Sequence, residues 1–136
     1  MNNRRRSELR EVEKAVTDSI NTLEKMITSE NCDRDWLETI VTDLSGLDET
    51  LNELSYEEQD SFDMLPEGLQ CSMRGEKMEE NVSLIDDASC EIADFVSSIE
   101  DFESMDEDEI MEAASNGVET LNDVVDKIEE ACEKHY

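Results

Sequence analysis

Residues 61–76 read Ser-Phe-Asp-Met-Leu-Pro-Glu-Gly-Leu-Gln-Cys-Ser-Met-Arg-Gly-Glu, and this stretch decides the fold. It holds the single proline of the chain, Pro66, and two of the four glycines. One apolar pattern of helical spacing runs into it and another runs out. Proline disfavours helical backbone at the residue before it, so the incoming helix is predicted to stop near Leu65. Pro66 suits the second position of a turn or the first turn of a new helix, and Gly68 suits the end of the turn. Ser72 offers a hydroxyl to cap the outgoing helix, with Glu76 favourable in its first turn. Phe62, Leu65 and Leu69 are too apolar for a plain linker. They are expected to plug one end of a helical hairpin.

Upstream, Leu37, Ile40, Leu44, Leu47, Leu51 and Leu54 follow a heptad seam that Trp36 and Val41 widen. The pattern starts at Asp33 or soon after and persists to Phe62, which predicts one helix of about 30 residues. Gly46 lies inside it and weakens it by about 1 kcal/mol relative to alanine. Downstream, the seam resumes at Met78, Val82, Ile85, Ser89, Ile92, Val96 and Ile99, with Phe95 and Phe102 beside it.

Two shorter helices flank this pair. Ser7 is placed to cap the first, whose stripe is Leu9, Val12, Val16, Leu23 and Met26, flanked by Ile20 and Ile27. It spans about 20 residues and fades at Ser29-Glu30-Asn31-Cys32-Asp33. At the other end, Ser104-Met-Asp-Glu107 reads as a capping box. The last helix carries Ile110, Ala114, Val118, Leu121, Val125, Ile128 and Cys132, with Gly117 inside it.

The expected fold is all-α, an antiparallel helical hairpin elaborated into a four-helix bundle with coiled-coil-like packing. A bent hairpin that completes its core as a homodimer is the alternative. The chain reads as a single domain, 1–136, with a flexible basic start at 1–6 and a hairpin turn near 63–72. Two readings of Arg4, Arg5 and Arg6 are open: a solvated tail, or arginines folded back onto the chain's own acidic surface. Leu44, Leu51, Ile85, Ile92 and Leu121 are the predicted core.

Composition narrows the function. There are 11 basic and 39 acidic side chains, for a formal charge of −28. Such a chain repels nucleic acid and anionic membrane and attracts basic protein surfaces. The excess is uneven: residues 1–30 carry 6 basic and 6 acidic groups, whereas residues 31–66 carry 1 and 11. Cys32, Cys71, Cys90 and Cys132 stand far apart, with no signal peptide or membrane span. They read as reduced thiols in a cytoplasm.

Catalytic chemistry has little support. Carboxylates are everywhere, so no pair is distinctive, and a slim bundle offers no obvious pocket to separate their pKa values. Cys132 and His135 are three residues apart with no third orienting group. Asp106-Glu-Asp-Glu109 lacks the glycine and the spaced glutamate of a calcium loop. No enzyme, metal or cofactor is expected.

Phe62-Asp63-Met64-Leu65-Pro66-Glu67-Gly68-Leu69-Gln70 resembles a phrase of small, acidic, helical, uncharacterised proteins of Gram-positive bacteria and their phages. In those, an aromatic-Asp/Asn-x-x-Pro-Glu-x-Leu-Gln segment separates two charged helices. The likeness covers residues 56–90 and extends to the arginine-rich start. The chain departs from the family in carrying extra helix on both sides. The resemblance implies no catalytic residues, and it implies a phage or mobile-element setting.

The acidic surface is the feature with functional weight. Two helices of about 30 residues would each extend about 45 Å. Residues 31–104 carry 22 acidic groups, about one per 2 Å, against one per 1.7 Å in duplex DNA. One expectation is therefore a phage-type inhibitor that binds a host nucleic-acid-binding or defence protein by DNA mimicry, of the anti-CRISPR or anti-restriction kind. Its partner-binding residues are expected to be Asp43, Asp48, Glu49, Glu53, Asp86, Asp87, Glu91 and Asp94. The alternative is a scaffolding coiled-coil interaction module without an inhibitory role.

Overall fold

The computed structural model describes residues 2–31 and 33–132. Helix α1 spans Asn3–Ser29. It starts four residues before Ser7, because the Asn2 side chain accepts the Arg5 N–H at 2.8 Å and serves as the cap. The expectation of a flexible basic start is thereby corrected. Arg4 pairs with Glu57, Arg5 reaches Glu58 at 3.2 Å, and Arg6 Nε donates to the Cys132 carbonyl at 3.2 Å. The arginines thus fold back onto the chain itself. At the other end, Glu30 takes a left-handed conformation, φ 51°, and donates to the Ile27 carbonyl while the Asn31 N–H reaches Met26. These bonds satisfy carbonyls of the last turn.

Asp33 caps α2, Arg34–Leu44, accepting the N–H groups of Asp35 and Trp36. The single long helix expected here is two: α3, Leu47–Asp63, begins after a break at Ser45–Gly46. At the break the Ser45 hydroxyl donates back to the Val41 carbonyl, competing with the backbone ladder, and Gly46 is a poor helix former. The apolar seam nonetheless crosses the break, with Leu44 and Leu51 both fully buried.

α3 ends at Asp63, two residues before Leu65. A single turn, α4, Glu67–Gln70, follows Pro66. The Gln70 side chain ties it down by donating to the carbonyls of Phe62 and Leu65 at 3.3 Å each. Phe62 and Leu65 are half-buried, but Leu69 is 47% exposed and takes no part in a plug. Helix α5, Met73–Ile99, is capped by Ser72, which accepts the Gly75 N–H. Gly75 is required there, because a Cβ would fall 2.2 Å from the Gln70 carbonyl oxygen. A 3-10 turn, Phe102–Ser104, leads to α5's successor α6, Glu107–Cys132. Its cap is Asp106, which accepts the Glu109 N–H at 2.8 Å; Ser104, expected in that role, donates instead to the Asp101 carbonyl.

Every neighbouring pair is antiparallel. Ser55 bonds Asp86 while Asp48 bonds Ser89, so α3 and α5 run opposite ways. Lys77 reaches Glu130 while Glu91 reaches Lys127, which does the same for α5 and α6. The Arg6–Cys132 contact orients α1 against α6. The result is an all-α, up-down-up-down four-helix bundle whose second helix is broken. No strand occurs among the described residues. All five predicted core residues, Leu44, Leu51, Ile85, Ile92 and Leu121, are fully buried.

The break carries a prediction. Gly46 has φ −121°, which alanine adopts freely, and an added Cβ meets nothing within 4 Å. Gly46→Ala should therefore stabilise the fold by about 0.4–1 kcal/mol, by restricting the unfolded chain. A thermal melt that shows a lower midpoint for the variant would count against the open space around Gly46 at the break.

Candidate interaction surface

The few basic side chains are largely committed within the bundle. Arg34 donates to the Phe102 carbonyl and Lys77 to the Glu130 carbonyl, each at 2.9 Å. With Arg6, they place positive charge on carbonyls near the C-terminal ends of neighbouring helices, where it is favoured. Lys127 bridges Glu91 at 3.2 Å and Asp123 at 3.1 Å. α1 is nearly charge-balanced, whereas the outer faces of α2, α3, α5 and α6 are acidic.

Of the carboxylates in α2, α3 and α5, thirteen are exposed, over a length of about 40 Å for α5. That is about one per 3 Å, sparser than the sequence-based figure, which included five residues of the turns and the buried or half-buried Asp48, Glu57, Glu58 and Glu91. It is near the 3.4 Å repeat of a single DNA strand. α6 adds nine exposed carboxylates, and the three acidic sides together then approach the density of a duplex.

The eight expected contact residues do not form one face. Asp43, Glu49, Glu53, Asp86, Asp87 and Asp94 are exposed, whereas Asp48 and Glu91 are half-buried. Asp86 lies at the α3–α5 seam, where it accepts the Ser55 hydroxyl at 2.6 Å. Glu91 turns the other way, into the α5–α6 seam. The structure thus brings Glu91 and Asp94 beside α6 and leaves Asp43, Glu49 and Glu53 on the far side.

Two features escaped the sequence reading. The first is a groove of about 560 Å³ between α5 and α6. Its floor includes Phe95, Met105 and Ala113, and its rim carries Glu91 and Asp94 from α5 and Glu109 and Glu112 from α6. Gly117 shapes it: a Cβ there would lie 2.1 Å from Cε1 of the Phe95 ring. The second is a buried polar layer near the Pro66 turn. Glu58, fully buried, accepts from Arg5 at 3.2 Å and from Asn81 at 2.7 Å, and Arg5 also reaches Ser61 at 3.0 Å. A signal existed. Arg5, Glu58 and Asn81 each stand four residues from a seam position, at Leu9, Leu54 and Ile85, and so continue the stripes with polar residues.

Crowded carboxyls set a pH dependence. Burial, then the Glu129 carboxyl, raises Glu13 above its usual 4.5. Burial, then Asp123, raises Glu91, and hydrogen bonding with Asp106 raises Glu109. Groups raised in the folded state bind protons more tightly folded than unfolded, so stability falls as pH rises through their folded values. Asp123 is lowered, chiefly by hydrogen bonding with Glu91, and its contribution is lost only as pH falls below its usual 3.8. The melting temperature should therefore rise as pH falls from 7 toward the glutamates' usual 4.5, then fall below the usual 3.8 of Asp123. Calorimetry across that range checks it, and a midpoint that drops steadily from pH 7 downward would contradict it.

Cys71, Cys90 and Cys132 are free thiols. Burial pushes the Cys132 thiol up, which works against a nucleophilic thiolate. His135 and Cys32 lie outside the described residues. No group of three or more His, Cys, Asp and Glu among the described residues is placed to hold a metal ion. No described helix is long and apolar enough to cross a membrane. Comparison with protein-family models, curated proteins and solved structures returns no match for this chain.

Proposed function

We propose that this protein binds a positively charged, nucleic-acid-binding groove on another protein and competes with the nucleic acid. The observation that carries the reading is the exposed carboxylate array on α2, α3, α5 and α6, with few cations left to screen it. Affinity then comes from ion pairing and counterion release, as it does for DNA. The likeness of residues 62–70 to acidic phage-associated proteins suggests the target class, a host defence protein, and the role of inhibitor.

The test pairs capture with displacement. Proteins retained from a Gram-positive lysate at about 50 mM NaCl should be released by duplex DNA, and retention should fall steeply by about 200 mM. A variant neutralised at Asp43, Glu49, Glu53, Asp87 and Asp94 should keep its helical circular dichroism and lose retention. Neutralising one residue should change little, because exposed ion pairs are individually weak. Retention that survives both DNA and the neutralised cluster would reject the mimicry reading.

A second reading, a scaffolding interaction module, draws on one observation. Met64, Leu69 and Met73 are strongly exposed around the Pro66 turn, and Tyr56 is exposed on α3. Exposed apolar groups of this size mark contact surfaces when they are contiguous. Binding that resists salt but is lost on Met64→Gln/Met73→Gln substitution would favour it.

A further inference from the structure

An extended field of one sign attracts cations over its whole length and so adds little register of its own. The groove between α5 and α6 differs from the rest of the acidic surface. It combines an apolar floor at Phe95, Met105 and Ala113 with a rim of four carboxylates contributed by two helices, Glu91, Asp94, Glu109 and Glu112. Its volume of about 560 Å³ lies within the range of ligand sites, about 300–1,000 Å³. No basic side chain lines it. Gly117 keeps the α6 side low where the Phe95 ring lies against it.

The chemistry of the walls selects the occupant. A second copy of this chain would bring another −28 of charge and is repelled. An anionic or neutral apolar ligand would leave Asp94, Glu109 and Glu112 without a cation, Glu91 alone being bridged by Lys127. We infer that the α5–α6 groove seats a cationic peptide segment of the partner, with one apolar side chain on the floor and flanking Arg or Lys groups on the rim. This inference rests on the proposed binding of a basic protein surface and adds the point that fixes its register. Crowding at the rim supports it. Glu109 is crowded by Asp106, so an incoming cation on that side relieves repulsion present in the free protein, whereas Glu91 already holds Lys127. Anchors of this kind, an apolar side chain in a pocket ringed by charge pairs, carry most of the energy at protein interfaces.

Two synthetic peptides separate the groove from the general field: hexa-arginine, and the same peptide with a central tryptophan. Titration calorimetry should show the tryptophan peptide binding at least tenfold more tightly. Ala113→Phe fills the floor without altering charge and should erase that advantage while leaving hexa-arginine unchanged. Asp94→Asn/Glu112→Gln, which strips the rim, should weaken the tryptophan peptide at least tenfold. Glu53→Gln/Asp60→Asn removes the same charge from α3 and should weaken it less than threefold. If Ala113→Phe proves unfolded by circular dichroism, the Met105 methyl NMR signal of the wild type gives the floor readout. It should shift with the tryptophan peptide and stay in place with hexa-arginine. Equal weakening by the rim and α3 pairs, with no gain from tryptophan, would overturn the groove and leave DNA mimicry standing. Conversely, partners that DNA fails to displace would remove mimicry and leave the peptide results intact.

Discussion

Replacing Arg5 with leucine should destabilise the protein by about 3–5 kcal/mol, the cost of removing one partner from a buried charge pair. Glu58 is fully buried, and the Arg5 guanidinium supplies positive charge at 3.2 Å. Without it, the buried carboxylate loses a charged partner in a medium where charge is poorly solvated. Glu58→Leu should cost a similar amount by stranding the arginine. The double replacement, Arg5→Leu/Glu58→Leu, should cost far less than the sum of the two. The layer is incompletely satisfied, since Arg5 Nε and Asn81 Oδ1 find no partner among the described residues. An apolar pair escapes that desolvation altogether. Urea denaturation of the three variants closes the cycle, and simple additivity would show that the two side chains are not energetically coupled.

Phe95 and Gly117 should show the second large effect. Phe95→Ala empties the space that the ring fills against α6 and should cost about 3–5 kcal/mol. Gly117→Ala sets two terms against each other. Alanine is the better helix former by about 1 kcal/mol. Its methyl, however, would fall 2.1 Å from the Phe95 ring, a clash that a rigid ring at 4% exposure cannot yield to cheaply. Overpacking of this kind costs about 1–3 kcal/mol, so the clash wins and the variant should melt below the wild type. In a Phe95→Leu background the obstruction goes, and the same Gly117→Ala change should become neutral or stabilising. If Gly117→Ala raises the melting temperature with Phe95 intact, the contact between α5 and α6 is looser than described.

The apolar seams made the bundle legible, because burial repeats at 3–4 residues wherever a helix faces a core. Leu44, Leu51, Ile85, Ile92 and Leu121 were readable for that reason. Caps were less so. Ser7, Ser104 and Asp106 all have capping side chains, and only local geometry chooses Asn2 and Asp106. The break at Gly46 was visible as a weakness but not as an interruption, since an unbroken leucine seam spans it. The carboxylates were legible as a quantity and not as a surface. Which way Asp86 or Glu91 points depends on the rotation of α5 against two neighbours, and charge counting carries no such information. The groove was hidden for a similar reason. Gly117 and Phe95 are 22 positions apart in the chain, and neither is unusual until the helices are side by side.

The pairing of α1 with α6 has a consequence for synthesis. Arg6 meets the carbonyl of Cys132 across 126 positions of sequence, so these two helices join only when nearly all of the described chain exists. On the ribosome, α3 and α5 can close as a local hairpin while the apolar stripe of α1 waits in water for its main partner. Contacts of such long separation close slowly, and exposed apolar surface in the interval invites association with other chains. The polar and charged residues that cover the rest of α1 keep that waiting helix in solution. They are part of how the chain survives its own assembly.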